Sequence, residues 1–330
     1  MRRCLPTLLA LLLLLACGGS DAPRDGSGSD VRAGPIDTLL AINGTHLWVH
    51  AEGAGDPLVV VHGGPVLDQG YLVGPLRFLA RDHRLVFYDQ RLSGRSDGTV
   101  DSASVTLDTL VADLEALRRQ LGLGRIDLLG HSWGGLLAME YAVAHPEALR
   151  SLVLVSPMPP SVGLWLEEQR AVREALAPGD TAGVGELAAS EAFRSGDPAA
   201  IERMLRLSFR GQMADPSLAD SLSFHIEPDY RERSRQFGHL RLDLSTYDLR
   251  GDLAGLGVPT LVIYGKAEAG ARTVADTLAA LVPDAEAVAI PRAGHFSFLE
   301  RPRAFREAVE AFWNRPTRAG ARPGSGDAPR

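Results

Sequence analysis

Residues 126–135 read Ile-Asp-Leu-Leu-Gly-His-Ser-Trp-Gly-Gly. Residues 126–129 form a short, largely apolar run that predicts a buried strand, and residues 134–144 predict a helix. Between them Gly130-His131-Ser132-Trp133-Gly134 fits G-x-S-x-G in the strand–turn–helix context that gives this pattern its meaning. A turn this sharp strains the backbone at the serine and leaves no room for side chains beside it, so small residues flank it. It also lifts the hydroxyl clear of the sheet, at the positive end of a helix. Ser132 is therefore the candidate nucleophile; the competing reading is a turn serine with no chemistry.

The flanking sequence continues the alternation. Strands are expected at 36–42, 45–51, 58–61, 84–88, 152–155, 260–264 and 286–290, and helices at 107–121, 271–281 and 302–313. Asn43-Gly44 between the first two strands is a hairpin signal, because both residues accept positive φ. Thr106 is a candidate N-cap. Apolar strands alternating with helices predict an α/β fold with a mostly parallel sheet covered on both faces. Residues 157–250 break this rhythm: they are polar, charged and helix-rich. They are expected to form a helical cap over the carboxyl edge of the sheet, where ligands of open α/β sheets bind. The core then comprises residues 36–156 and 251–314.

A serine hydroxyl needs a base. On such a scaffold the partners follow in the order serine, acid, histidine. Of nine histidines only His295 lies beyond residue 239, in Gly294-His295-Phe296 just after a predicted strand. The acid is expected after the strand at 260–264, where Glu268 is the first carboxylate. Asp276 falls inside a helix, and Asp248 and Asp252 precede the strand. The oxyanion hole needs two backbone N–H groups. The Trp133 amide is one candidate. The Gly64 amide, in His62-Gly63-Gly64-Pro65, is the other, since glycine lets backbone approach a substrate closely. His62 and His131 read as structural. His46 and His50 share a strand but lack a third ligand, so no metal is expected. With no dinucleotide fingerprint, no cofactor is implied either.

Composition bounds the rest. Hydrophobic residues at 45% and charged residues at 23% exclude wholesale disorder, collagen and a polytopic membrane protein. A net charge of −7 argues against a nucleic-acid partner. Arg2 and Arg3 precede an apolar run over 5–16, which is too short to span a membrane and fits a signal-peptide h-region. Its end, Leu14-Leu15-Ala16-Cys17, resembles the lipobox of bacterial lipoproteins. Residues 1–16 are thus expected to be cleaved, and Cys17 to carry lipid that anchors the chain to a membrane of the cell envelope. Residues 17–35 read as a flexible tether and 315–330 as a disordered tail. Both cysteines, Cys4 and Cys17, lie in the leader region, so the core has no thiol chemistry.

Taken together these residues resemble the α/β-hydrolase superfamily over about residues 36–314. Within it the chain is similar to the proline iminopeptidase family, on the strength of His62-Gly63-Gly64-Pro65, Asp89-Gln90-Arg91 with Gly94-Arg95-Ser96, and Gly130-His131-Ser132-Trp133-Gly134-Gly135. Family members read HGGPG and DQRGxGRS; here Val66 and Leu92 replace the glycines, and Glu268 stands where aspartate is usual. A bulky side chain is costly at either position if the site needs positive φ. The resemblance implies an acyl-enzyme that releases N-terminal residues from short peptides. It also implies an acidic cap residue that receives the substrate's free amine. The cap offers Glu167, Glu168, Glu191, Glu202, Glu227 and Glu232, of which Glu227, between Ile226 and Pro228, is the least ordinary. The alternatives are a small-molecule esterase or amidase on the same three residues, and an inactive tethered binding module.

Overall fold

A computed structural model describes residues 34–315 apart from 99, 102–103 and 176–177. The leader, Cys17, the tether up to residue 33 and residues 316–330 lie outside the described residues.

Eight strands form one sheet: β1 (Ile36–Ile42), β2 (Thr45–Glu52), β3 (Asp56–Val61), β4 (His83–Tyr88), β5 (Ile126–His131), β6 (Leu149–Val155), β7 (Thr260–Gly265) and β8 (Ala285–Ile290). Their order is β1-β2-β4-β3-β5-β6-β7-β8. β1 and β2 pair antiparallel through the Asn43-Gly44 turn, both residues having positive φ, and β2 pairs antiparallel with β4. From β4 onward every pairing is parallel. This is the expected fold, with each strand within a few residues of its predicted bounds.

Because strand side chains alternate, the same strands feed two cores. Val59, Val86, Leu128, Leu152 and Val262 pack with helices α2 (Leu107–Gln120), α3 (Trp133–Ala144) and α11 (Ala271–Leu281). Val60, Phe87, Leu129, Val153 and Ile263 pack on the other face with α1 (Gly70–Leu76) and α13 (Pro302–Trp313). Thr106 caps α2, its side chain accepting from Thr109 N at 3.1 Å. Helix α1 is absent from the sequence-based reading. It holds Gly70, Gly74 and Pro75, poor helix formers, and its turn is held by burial of Tyr71, Leu72 and Leu76.

Between β6 and β7 the chain is helical: α4 (Val162–Ala175), α5 (Pro178–Ala189), α6 (Glu191–Ser195), α7 (Pro198–Arg210), α8 (Tyr230–Phe237), α9 (Arg241–Leu244) and α10 (Arg250–Leu253). Among the described residues its only β feature is the isolated bridge Ser161–Asp248. The insertion is tied to the core by polar contacts. Arg233 Nη1 donates to the Gly94 and Ser96 carbonyls at 3.0 and 2.9 Å, and Glu300 Oε2 accepts from Ala214 N at 2.7 Å. The remaining short helix, α12 (Ser297–Glu300), follows β8.

The parallel register sets Val61 beside Gly130, His131 beside Val155, and Gly265 beside Ile290. The segments after β3, β5, β6, β7 and β8 therefore emerge along one edge.

Candidate active site

Ser132 sits at φ 56° and ψ −122°, a strained conformation at the turn from β5 into α3. The glycines around it are sterically required. A Cβ on Gly134 would fall on the Val61 and His62 carbonyl oxygens, one on Gly130 would meet the Gly134 carbonyl, and one on Gly135 would lie 2.5 Å from Pro157 Cβ. Trp133 opens α3, where the first N–H groups have no acceptor within the helix. Across from it, Gly64 has φ 64°, and a Cβ there would strike the Leu67 side chain. Gly63 N is already used, donating to Tyr71 Oη at 2.6 Å.

His295 is buried on the loop after β8, its N–H donating to the Gln212 carbonyl of the insertion at 2.8 Å. Its Nδ1 lies 2.5 Å from Glu268 Oε1, on the loop after β7. The other carboxylate oxygen, Oε2, accepts from Ser156 Oγ at 2.6 Å. With Nδ1 donating to Glu268, His295 Nε2 is left as the basic nitrogen. Burial, the largest single influence, lowers the imidazole pKa, but the charge and hydrogen bond of Glu268, joined by the charges of Glu168 and Glu300, together outweigh it, and the net shift is upward. The competing acids lie elsewhere: Asp276 pairs with Arg272 at 3.3 Å, and Asp248 pairs with Arg250 at 2.6 Å.

Ser132, His295, Gly63 and Gly64 line one small cavity, walled by Phe209 and Phe224 of the insertion. Phe209 packs edge-on to Phe296 with centroids 5.1 Å apart, so the wall is aromatic and apolar. A more open depression, lined by Val162, Glu167, Tyr247 and Arg250, holds none of these groups. Glu227 does not line the serine cavity, and its carboxylate is engaged by His225 Nε2 at 2.9 Å. Glu168, on α4, lies closer to the chemistry. It packs against Gly270, two residues past Glu268. Burial first, and then the Glu268 charge, push its pKa up to about 8.

The histidines beside the site are structural, each in one tautomer. Gly63 N–H can only donate to Tyr71 Oη, so the phenol donates to His131 Nδ1 at 2.8 Å, and His131 Nε2–H donates to the His295 carbonyl at 3.1 Å. Burial holds the His131 pKa well below the ordinary value, keeping it neutral. Among the described residues no group of three His, Cys, Asp or Glu side chains is placed to hold a metal.

The loop motifs also acquire roles. Asp89 accepts from Gln69 N at 2.9 Å and Arg95 N at 2.8 Å, pinning the segment after β3 to the segment after β4. Arg91 makes a two-pronged pair with Asp113, both contacts 2.9 Å. Val66 and Leu92 have φ 67° and 65°. The chain therefore keeps the left-handed backbone that suits glycine while carrying bulky, buried side chains there. Ser156, Tyr71, Phe209 and Phe224 escaped sequence reasoning. Only Ser156 carried a signal: it is the first residue past a strand end on the same edge as Ser132.

A family model described as alpha/beta hydrolase fold matches residues 56–302. The chain is 30% identical over 264 residues to a proline iminopeptidase of Lactiplantibacillus plantarum, a match spanning 76% of this chain and 88% of that one. It is 29% identical over 266 residues to a proline iminopeptidase of Levilactobacillus brevis, spanning 76% and 85%. Among solved structures, a proline iminopeptidase-related protein of Thermus thermophilus is similar with a TM-score of 0.65 and 27% identity, covering 84% of this chain and 97% of that one.

Proposed function

Because this chain belongs to the alpha/beta-hydrolase fold family and is a relative of the proline iminopeptidases within it, we propose that it is a serine hydrolase that releases the N-terminal residue, proline above all, from short peptides or amides. The observation that carries the reading is the 2.5 Å contact of Glu268 Oε1 with His295 Nδ1, on a histidine that shares a cavity with Ser132. Ser132 Oγ attacks the carbonyl carbon while His295 Nε2 takes its proton, and Glu268 stabilises the imidazolium so formed. The Trp133 and Gly64 amides receive the oxyanion. The imidazolium then gives its proton to the leaving amine as the C–N bond breaks. Water, deprotonated by His295, attacks the acyl-enzyme and frees Ser132.

Glu168 supports the free-amine preference better than Glu227 does. Like Glu227 it does not line the serine cavity, but its buried carboxyl feels the charges of Glu268 and His295, and an arriving ammonium would supply the cation that favours its ionised form. The apolar wall of Phe209 and Phe224 suits a compact ring or small aliphatic side chain. The test compares proline, alanine and N-acetyl-proline anilides with a short nitrophenyl ester, against Ser132→Ala. Turnover of free-amine anilides, lost on acetylation and in Ser132→Ala, supports the proposal. Ester turnover alone replaces it with an esterase, and no Ser132-dependent turnover or fluorophosphonate labelling leaves a binding module.

Export and a lipid anchor on Cys17 remain proposals from the sequence, alongside the finding that no helix among the described residues is long and apolar enough to cross a membrane. Membrane-fraction activity that becomes soluble in Cys17→Ala supports the anchor; activity soluble in both chains refutes it.

A further inference from the structure

Gln90 is only 1% exposed and makes no contact with the cavity described above, yet its amide joins the two backbone segments that flank it. Nε2 donates to the His62 carbonyl at 2.7 Å, at the end of β3 and two residues before Gly64. Oε1 accepts the Trp133 indole N–H at 2.8 Å, on the residue directly after Ser132. The orientation has no alternative: an indole N–H can only donate and a carbonyl can only accept, so a flipped amide would lose both bonds. The Gln90 backbone N–H donates to His62 Nε2 at 3.0 Å, which requires the His62 proton to sit on Nδ1, where it meets the Gly63 carbonyl at 3.0 Å. Burial pulls the His62 pKa to about 4, so that tautomer persists at neutral pH. A continuous ladder thus runs from Trp133 through Gln90 and His62 to Gly63, beside Gly64.

We propose that Gln90 is a positioning residue that sets the separation of the Trp133 and Gly64 amides, and with it the fit of the oxyanion hole to the tetrahedral intermediate. This rests on the reading above, in which Ser132 forms an acyl-enzyme. The physical reason is that two amides act together on one oxygen only if both lie within hydrogen-bond reach of it. They come from residues 69 positions apart in sequence, each three residues beyond the paired strand-end residues Val61 and Gly130. Among the described residues these two are the hydrogen bonds of the Gln90 side-chain amide.

The experiment uses the full-length chain in detergent and compares wild type with Gln90→Glu and Gln90→Met. Glutamate keeps an acceptor for the indole but turns an oxygen toward the His62 carbonyl; methionine keeps the volume and makes neither bond. Five quantities are measured: kcat and KM on an anilide, affinity for a boronic acid that forms a tetrahedral adduct on Ser132, affinity for the free amino-acid product, and the fluorophosphonate labelling rate. The expected result is a loss of about 10- to 100-fold in kcat/KM and in boronate affinity, in proportion to one another. KM, product affinity and the acid limb set by His295 should stay as in wild type. A loss in kcat/KM without a matching loss in boronate affinity, or KM and product affinity weakening in step, would mean a general structural role and overturn the proposal. So would unchanged rates in both variants. If neither Gln90 variant folds, Trp133→Phe removes the indole donor from the other end of the ladder and carries the same two outcomes. Wild type that resists labelling at Ser132 sinks the hydrolase reading itself; labelled wild type with unaffected Gln90 variants sinks only the proposal.

Discussion

Replacing Glu268 by glutamine isolates the charge of the acid from its geometry. The side chain keeps its length, an oxygen can still face His295 Nδ1, and the amide can still meet Ser156 Oγ, now 2.6 Å from the carboxylate. What is lost is one negative charge beside an imidazolium that exists only while Ser132 is reacting. With charge centres ~4 Å apart at an effective dielectric of ~20, that attraction is ~4 kcal/mol. At ~1.4 kcal/mol per decade this is roughly a 1000-fold loss, and the amide dipole recovers part of it, so kcat/KM should fall roughly 100- to 1000-fold. The pH profile carries a second signature. His295 must be neutral to act as base, so kcat/KM declines as pH falls through its pKa, which lies above the ordinary imidazole value because Glu268, Glu168 and Glu300 together outweigh burial. Without the Glu268 charge the largest upward influence is gone, and the acid limb should move to lower pH. The assay is kcat/KM on a proline anilide between about pH 5 and 9, with Ser132→Ala as the zero. A loss of less than about tenfold, or an acid limb that stays put, would refute the assignment of Glu268.

Ser156→Ala removes a charge-assisted hydrogen bond on Glu268 Oε2, and kcat/KM should fall roughly tenfold as the carboxylate loses its second anchor; equal rates in steady-state assays would show that His295 alone holds it. Glu168→Gln should raise KM for free-amine anilides and leave the affinity for N-acetyl-proline anilide, read as competitive inhibition, unaffected. In the parent chain the Glu168 carboxyl is neutral below about 8 and ionised above. KM for free-amine substrates should therefore drop as pH rises toward that value, until the substrate amine itself deprotonates near ~8; a flat KM over this span counts against Glu168. Val66→Gly trades ~1–2 kcal/mol of left-handed strain against ~1.5–3 kcal/mol of lost burial, so denaturant melts should show destabilisation of no more than ~2 kcal/mol. A larger loss would mean that the backbone there is unstrained. Arg91→Ala leaves the buried Asp113 without its counter-charge, with Asn43 Nδ2 still donating to it at 3.0 Å, and should cost ~3–5 kcal/mol at neutral pH. Burial already raises the Asp113 pKa above the ordinary carboxyl value. A carboxyl whose folded pKa exceeds its unfolded one takes up a proton on folding, so the variant should regain part of its stability as pH falls toward that folded pKa. Stability that drops in parallel with the parent over that range would count against the buried charge.

The candidate nucleophile, base and acid, which the fold brings to one edge, and most strand bounds were legible because each is written locally. A strand buried on both faces must be apolar throughout, and a turn this tight between β5 and α3 must be glycine at positions 130, 134 and 135, where a Cβ would meet backbone or Pro157. His295 could be picked out by elimination and Glu268 by its place after β7. The departures at Val66 and Leu92 were visible as substitutions, but their consequence was not. Only the fold says that both positions keep a left-handed backbone. Helix α1 was hidden for the opposite reason: its residues have little helical preference, and packing of Tyr71, Leu72 and Leu76 overrides it.

The remaining site residues act through pairs that no local pattern records. Ser156 meets Glu268 across 112 positions, Tyr71 meets His131 across 60, and Gln90 meets Trp133 across 43. Each contact exists because parallel strands bring distant loops to one edge in register, and a polar group buried there must find a partner or be excluded. The cap adds a further layer. Glu227 stood out by its neighbours in sequence, whereas Glu168 gains its place from where α4 lies over the Gly270 turn. Sequence alone determined which backbone shapes are possible at the nucleophile and which residue types could react. Tertiary structure decided which carboxylate faces which histidine and which amide bridges the His62 and Trp133 segments, because those choices depend on distances between segments that the chain order does not set.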